Sequence, residues 1–192
     1  MVKKQTRCKN QIKGMLSMYG IPIPERLEKS HWSRRFIQWL EDLNMQEDSG
    51  KQALQAYLIE LHFLRKLIAQ LTRQIRNLSR QEPYRTTVTC LDSVPGISNL
   101  TAMILLTELM DIHRFRSLDH LASYAGLIPG EDSSGEQEIT TGISHRRNAH
   151  LRALLIECSW AAVRKDPALL MSFQKLAKRM PKNRAIIRIA RK

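Results

Sequence analysis

An apolar stripe spaced by seven residues runs through positions 49–81, a segment with no proline and, after Gly50, no glycine. This is the pattern of a coiled-coil helix, whose a and d positions face a partner helix. At about 1.5 Å per residue the predicted helix is roughly 50 Å long, so it cannot bury its stripe alone. No other segment carries matching heptads, which favours a second copy of the chain as the partner; a core helix packed on its own domain is the alternative. The stripe consists of Leu54, Leu61, Ile68 and Ile75 and, three residues on, Tyr57, Leu64, Leu71 and Leu78.

Shorter patterns on both sides of this arm predict further helices, so the fold is expected to be mainly α. A basic helix over residues 2–19 ends at Gly20 and the IPIP run, and aromatic residues recur at helical spacing between Trp32 and Leu43. Beyond Pro83, helices are predicted over 86–91, 100–110, 117–124, 147–165 and 166–179, with a last one starting at Pro181. Residues 130–142 are predicted to form a loop, with room for a short extended piece at 138–140. The predicted organisation is therefore N-terminal basic and aromatic helices (1–47), a coiled-coil arm (48–82) and a compact helical domain (83–192).

The charge of the chain narrows the class of partner. Its 31 Lys and Arg against 18 Asp and Glu give a net charge of +13. After Asp166 there is no acidic residue, while eight Lys or Arg fall between Lys175 and Lys192. A polyanion fits this balance, and nucleic acid is the commonest one. A solvated basic tail is the alternative.

Cysteine usage and hydropathy indicate the cellular compartment and the kinds of site that the chain can hold. The cysteines at Cys8, Cys90 and Cys158 are odd in number and far apart, so neither a disulfide framework nor a zinc site is expected. No stretch reaches the roughly 18 apolar residues of a membrane span, and the basic N-terminus lacks the apolar core of a signal peptide. We expect a cytoplasmic protein without membrane contact. Glu108 and Asp111 could share a metal, but such a pair is more often a solvated helix end.

The string VPGI at 94–97, followed by TA at 101–102, is typical of a helix-hairpin-helix. Pro95 fixes φ and Gly96 allows a tight reversal, so the amides that follow would point outward at the start of the second helix. That helix end carries a partial positive charge and can hold a phosphate without reading sequence. A plain helix-turn-helix corner is the alternative. The predicted phosphate contacts are the amides of Gly96, Ile97 and Ser98.

A serine pair in the predicted loop is the candidate nucleophile. Ser133 and Ser134 precede Gly135, which offers backbone freedom. A serine that attacks a phosphodiester needs exposure and positive charge to steady the developing phosphorane. Most serine-glycine loops are only solvent-facing turns, so this signal is weak alone. The predicted sources of charge are Arg146, Arg147 and Arg152.

Taken together, the motifs carry a resemblance. The string VPGI…TA…LLTEL-x-DI-x-RF-x-S…LASYAGL-x-P…SSG…TTGIS…N-x-x-LR-x-LLIE-x-x-W closely resembles the C-terminal domain of the DEDD/serine insertion-sequence transposases. These are the bridge-RNA-guided recombinases, related to Piv-type invertases. The similarity runs across nearly all of residues 84–192, and the segment KNQIKGML-x-x-YGI with the heptad helix resembles the family's middle region.

The resemblance implies a mechanism of DNA transposition. In the family a serine forms a 5′-phosphoserine link to DNA, while an N-terminal RNase H-like domain supplies four acidic residues that bind Mg²⁺. The nucleophile maps onto Ser134, with Ser133 as the fallback. The N-x-x-LR element maps onto Asn148, Leu151 and Arg152, of which Asn148 and Arg152 are expected to bind DNA. Arg147 stands where the family often has glycine, which puts the local backbone in question.

The family's acidic domain lies upstream of the KNQIK segment, and the first acidic residue of this chain is Glu25. The chain is therefore expected to hold no cofactor of its own, with Mg²⁺ in the absent domain, and to cut no DNA by itself. The expected partners are DNA, a guide RNA and a second copy of the chain. A non-catalytic dimeric nucleic-acid-binding module that keeps the fold is the alternative.

Overall fold

The computed structural model of the chain describes residues 1–28, 32–134, 137–143 and 148–192; for residue 28 and residues 129–143 the description is confined to the backbone. The described part is mainly α-helical, as predicted. It divides into two units, Met1–Gln74 and Ile75–Lys192. None of its helices combines the length and hydrophobicity needed to cross a bilayer.

The unit Met1–Gln74 is built from helices around one apolar core. The helices are α1 (Val2–Met18), α2 (Glu25–Glu28), α3 (Arg34–Glu41) and the larger part of α4 (Asp48–Leu78). Helix α1 stops where predicted, because Gly20 adopts a φ of +64° that a residue with a Cβ rarely takes. Ser33 caps α3 by accepting a hydrogen bond from the amide of Phe36. The core includes Cys8, Ile12, Leu16, Phe36, Ile37, Leu40, Leu54, Leu58, Leu61 and Leu64.

Helix α4 shows what covers the heptad stripe. Leu54, Leu61 and Leu64 are buried in the same core as residues of α1 and α3. For this half of the helix the alternative interpretation therefore applies, since its own unit supplies the partner. Leu58, which lies off the heptad, is buried too, as expected for the wider stripe of a globular helix. Farther along, Leu71 and Leu78 remain 38% and 43% exposed.

The unit Ile75–Lys192 contains the remaining α-helices, which the sequence predicted to within two residues at each compared end, and a short 3₁₀ helix (Ile112–Arg114), which it did not predict. Polar side chains begin four of them: Ser98, Ser117, Asn148 and Asp166 each accept a hydrogen bond from an amide of the first turn. Their apolar faces form three neighbouring core clusters, one of them centred on the fully buried Leu151. The helices are α5 (Arg85–Asp92), α6 (Asn99–Leu109), α7 (Leu118–Tyr124), α8 (Ala149–Lys165), α9 (Pro167–Ala177) and α10 (Lys182–Arg191).

Helices α6 and α8 run antiparallel. The turn before α6 presses on the later part of α8, where a Cβ on Gly96 would lie 2.2 Å from the backbone oxygen of Cys158. At the other end of α6, Glu108 accepts a hydrogen bond from Asn148, the N-cap of α8. The two contacts on α8 are ten residues apart, which is roughly 15 Å along the helix axis.

Between α7 and α8 the chain forms a β-hairpin rather than the predicted loop. Strand β1 (Pro129–Ser134) pairs antiparallel with strand β2 (Gln137–Ile143). Ser133 lies opposite Glu138, and Ser134 lies opposite Gln137. The extended piece allowed at 138–140 lies within β2, but the prediction of a loop for the rest of 130–142 was wrong because it weighed the polar composition of the segment. The run ITTGI contains four β-branched residues, which favour a strand once a partner fixes the register.

Gly96→Ala tests the contact between the turn and α8. The new Cβ would meet backbone atoms of Cys158 and Ala162 at 2.2 and 2.7 Å, and φ at this position is +92°. Because backbone cannot swing away as a flexible side chain can, we expect a loss of about 3 kcal/mol in the free energy of unfolding. Urea denaturation followed by circular dichroism measures it.

Gly20→Ala is the matched control, since Gly20 also has a positive φ but nothing within 4 Å of its added Cβ. Only the backbone strain remains there, so the expected loss is about 1 kcal/mol. Equal losses at the two positions would show that the close approach to α8 contributes nothing.

Candidate functional site

The start of α8 is fixed by the side chain of Asn148. Its Oδ1 accepts a hydrogen bond from the amide of Leu151 at 3.0 Å, which satisfies one of the free donors of the first helical turn. Leu151 is fully buried, so the cap and the core act on the same turn. The N-x-x-L spacing of the sequence thus corresponds to a helix cap followed by a core residue.

The nitrogen of the same side-chain amide connects the start of α8 to two other helices. Nδ2 of Asn148 donates to Oε2 of Glu108 at 2.6 Å and lies 3.5 Å from Oη of Tyr124. The backbone amide of Asn148 donates to the carbonyl of Tyr124 at 3.0 Å. We call Glu108, Tyr124 and Asn148 the Asn148 corner. It joins the end of α6, the end of α7 and the start of α8.

The Asn148 corner also closes the segment that carries the hairpin. Tyr124 is the last residue of α7, and Leu127, buried in the core, leads into β1. Strand β2 ends at Ile143, and Asn148 follows it in the chain at the start of α8. The backbone hydrogen bond between Tyr124 and Asn148 therefore joins the two ends of the segment. Holding these ends together removes much of the conformational freedom that an open segment of this length would have.

An exposed guanidinium lies against the outer side of the corner. The guanidinium carbon of Arg114 is 4.7 Å from the ring centroid of Phe115 and 4.8 Å from that of Tyr124. Hydrogen bonds from Asn148 and from Arg114 lower the pKa of the Tyr124 hydroxyl. Stacking fixes the plane of the guanidinium while its charge stays exposed, which suits contact with a phosphate group.

The predicted phosphate-binding amides lie at the opposite end of the α6–α8 pair, and one of them is engaged. The amide of Ile97 donates to the carbonyl of Val94 at 3.0 Å, which removes it from the predicted set. Ser98 uses its hydroxyl to cap the amide of Thr101. Within the described residues, no acceptor is found for the amides of Gly96 and Ser98. The next two amides, those of Asn99 and Leu100, lack a partner inside the helix by its geometry.

This distance changes the predicted site. The sequence favoured one stretch of backbone held by the turn amides and by the α8 start at once. The two groups lie roughly 15 Å apart along α8. A single phosphate group therefore cannot contact both.

The remaining predicted residues are only partly placed. Ser133 and Ser134 stand at the end of β1, where the backbone is described and the side chains are not. Gly135, Arg146 and Arg147 lie outside the described residues. Arg152 is half-buried in the second turn of α8 and interacts within the fold.

Sequence reasoning missed the roles of Glu108, Tyr124 and Arg114. Glu108 was weighed only as a metal ligand with Asp111. In the structure Glu108 binds Asn148, and Asp111 accepts a hydrogen bond from the amide of His113. Over the described ranges no group of three or more His, Cys, Asp or Glu side chains is placed to hold a metal ion. The partner of Glu108 is 40 residues away in sequence, and no local pattern signals such a pair.

Comparison with known proteins identifies a family domain in this part of the chain. Residues 88–174 match the Transposase IS116/IS110/IS902 family domain. The matched range runs from within α5 to within α9 and so contains the turn at Gly96, the hairpin and the whole Asn148 corner.

Individual relatives carry transposase or inversion names. The chain is 29% identical over 201 residues to the transposase for insertion sequence element IS1111A of Coxiella burnetii, covering 100% of this chain and 53% of that protein. It is 28% identical to a probable family 20 transposase of Pseudomonas aeruginosa, covering 100% of this chain and 57% of that protein. It is 35% identical over 136 residues to the pilin gene-inverting protein of Moraxella lacunata, covering 65% and 40%. The chain thus spans about half the length of these relatives.

Asn148→Asp separates the two roles of the Asn148 corner. An aspartate keeps the capping oxygen but places a second carboxylate against Oε2 of Glu108, where Nδ2 now donates at 2.6 Å. We expect a loss of about 2 kcal/mol in unfolding free energy at neutral pH, from repulsion and the lost hydrogen bond. The loss should shrink at acidic pH, because one of the two carboxyls then takes up a proton.

Adding Glu108→Gln to Asn148→Asp should restore most of the stability, since the glutamine amide can donate to the aspartate. Thermal unfolding of the two single variants and the double variant measures the coupling. Additive effects would contradict a direct bond between positions 108 and 148.

Asn148→Ser tests the effect of the corner on Tyr124. Serine caps a helix about as well as asparagine, but it has no amide donor to reach Tyr124 or Glu108. We expect the pKa of Tyr124 to rise towards its ordinary value of about 10. In the native protein the lowered pKa of Tyr124 means that its ionised form contributes its full stability above the unfolded pKa of about 10, and that this contribution is lost as the pH falls through the lowered folded pKa. Ultraviolet titration of tyrosinate reads this shift; an unchanged titration curve would rule out the hydrogen bond as its cause.

Proposed function

We propose that this chain is the C-terminal part of an insertion-sequence transposase, which holds DNA and joins it covalently to Ser134 during strand exchange. The observation that supports this most is the match of residues 88–174 to the transposase family domain, over a range that holds a hairpin closed by the Asn148 corner. The charge of +13 supports a nucleic-acid substrate. Ser133 is the fallback nucleophile.

The proposed chemical step is a transesterification. The hydroxyl oxygen of Ser134 forms a bond to the phosphorus of a DNA phosphodiester, and the bond from that phosphorus to the 3′ oxygen breaks. The serine proton passes to the departing 3′ hydroxyl, and a 5′-phosphoserine remains. Attack by another 3′ hydroxyl reverses the step and joins new strands. Arg146, Arg147 and Arg152 are the proposed groups that stabilise the negative charge developing on phosphorus.

Two regions of the unit are proposed to hold the DNA backbone. At the start of α6, the unpaired amides of Gly96 and Ser98 and the first helical amides favour one phosphate. Beside the Asn148 corner, the stacked guanidinium of Arg114 favours another. Neither contact reads base identity. These regions would therefore hold and align the DNA backbone, but they would not select a DNA sequence.

The proposal also includes partners: a metal-binding domain, a guide RNA and a second copy of the chain. In the family that the sequence resembles, Mg²⁺ is bound by carboxylates of an RNase H-like domain, and we propose that such a domain acts together with Ser134. We propose that a guide RNA selects the DNA sequence. The half-exposed Leu71 and Leu78 on α4 leave room for association of two copies along that helix.

Covalent trapping tests the proposed role of Ser134. The full chain is mixed with the family's acidic domain supplied in trans, Mg²⁺, guide RNA and labelled DNA, and denaturing gels reveal protein–DNA adducts. We expect adducts with the native chain, none with Ser134→Ala and undiminished adducts with Ser133→Ala, because only one hydroxyl forms the phosphoester. The chain without the acidic domain should give none.

Two results would contradict the proposal. An adduct that survives Ser134→Ala would move the nucleophile elsewhere. Salt-dependent DNA binding without any adduct, under conditions in which a full-length relative reacts, would mark the chain as a non-catalytic binding module.

A further inference from the structure

The unit Met1–Gln74 has a strongly basic helix that the proposed serine chemistry does not use. Helix α1 contains five Lys or Arg and no acidic residue. Among the described residues, the ion pairs are those of His62 with Glu41 and of Arg191 with Asp119, and neither involves α1. Within the described residues, therefore, no cation of α1 forms an ion pair with a carboxylate. These cations are Lys3, Lys4, Arg7, Lys9 and Lys13.

Two cations from different helices converge on one tryptophan. The ammonium nitrogen of Lys9, on α1, lies 5.6 Å from the ring centroid of Trp32. Arg65, on α4, donates a hydrogen bond from Nη2 to the backbone oxygen of Trp32. The ring is held from another side by Phe36, whose centroid is 5.1 Å away. Trp32 thus fixes both cations in one place.

This arrangement has an electrostatic cost. Partial burial, and then the nearby charge of Arg65, lower the pKa of Lys9, as expected for two cations brought together away from water. Trp32 itself has a φ of +64°, which is a strained conformation for a residue with a bulky side chain. Holding the backbone of Trp32 needs only one N–H group of Arg65, which leaves other donors of that guanidinium and all those of Lys9 for a ligand.

The surroundings extend the positive surface. Lys4 and Arg7, which lie two turns and one turn before Gln11 on α1, line a hollow of about 260 Å³ together with Gln11 and Glu60. Glu60 is the carboxylate of this hollow, and it forms no ion pair with the cations around it. A chain of phosphates could follow α1 from Lys9 to Lys4, whereas a single small anion would use only one end.

We propose that Lys9, Arg65 and Trp32 form a binding site for a phosphodiester group of a nucleic-acid strand, with Lys4 and Arg7 contacting the neighbouring phosphates. The site lies wholly within Met1–Gln74 and goes beyond the strand transfer proposed for Ile75–Lys192. A phosphate between Lys9 and Arg65 would relieve their repulsion and accept hydrogen bonds from both. The ligand chemistry is shared by DNA and RNA, and the site has no group arranged to read a base.

Salt-dependent binding tests this site in the full chain. Fluorescence anisotropy measures the affinity for a single-stranded DNA oligonucleotide and for an RNA of the same sequence, each over a range of salt concentrations and without Mg²⁺. We expect Lys9→Gln to weaken binding several-fold at about 0.1 M salt and to lower the logarithmic salt slope by about 0.7, because one phosphate contact with a single strand is lost. Thermal unfolding verifies that the variant is folded.

Lys66→Gln is the matched control, because Lys66 is exposed on α4 directly after Arg65 and changes the net charge equally. It should leave the salt slope unchanged, and Arg65→Lys, which keeps the charge, should bind better than Arg65→Gln. A loss on DNA alone or RNA alone would identify which strand occupies the site. An unchanged slope with Lys9→Gln on both oligonucleotides, or equal losses with Lys9→Gln and Lys66→Gln, would overturn the proposal.

The result does not depend on Ser134, since binding without Mg²⁺ precedes any strand transfer. If covalent trapping fails, the proposed binding site in Met1–Gln74 is not contradicted. Conversely, a chain that forms the Ser134 adduct while Lys9→Gln binds normally would retain the proposed function and lose this inference.

Discussion

The hydrogen bonds of one amide side chain, that of Asn148, hold together the part of the molecule on which its proposed chemistry depends. The oxygen caps α8 through the amide of Leu151, and the nitrogen donates to Glu108 at the end of α6. The backbone of the same residue binds the end of α7. A capping contact alone contributes about 1 kcal/mol, but here it is joined to two other helix ends and to a buried core residue. Loss of this residue would therefore loosen three helix ends and both ends of the hairpin segment together.

The antiparallel α6–α8 pair sets the scale of the site. Gly96 permits backbone contact at one end, and Glu108 makes the polar contact at the other. These two contacts lie roughly 15 Å apart along α8, so the phosphates proposed to bind at the two ends would belong to different nucleotides. The proposed nucleic-acid strand would therefore lie across the pair.

The sequence predicted the helices well because helix signals are local. Ser98, Ser117 and Asp166 precede helices that begin at the next position, and Gly20 ends α1 through its own backbone conformation. It failed where distant partners decide the outcome. The hairpin forms only because β1 pairs with β2. The heptads of α4 predict a buried stripe, but they do not predict which residues cover it. The capping half of Asn148 was implicit in N-x-x-L, whereas its bond to Glu108 spans 40 residues.

Hydrogen exchange resolved to single amides tests the central role of the Asn148 corner most directly. The amide of Asn148 donates to the carbonyl of Tyr124, whereas those of Asn99 and Leu100 begin α6 without a helical partner. The account predicts that the Asn148 amide exchanges slowly, opening only when the unit unfolds, while the two α6 amides exchange as fast as exposed backbone. An Asn148 amide that exchanges as quickly as theirs would contradict it, because the hairpin segment would then open independently of the helices that bound it.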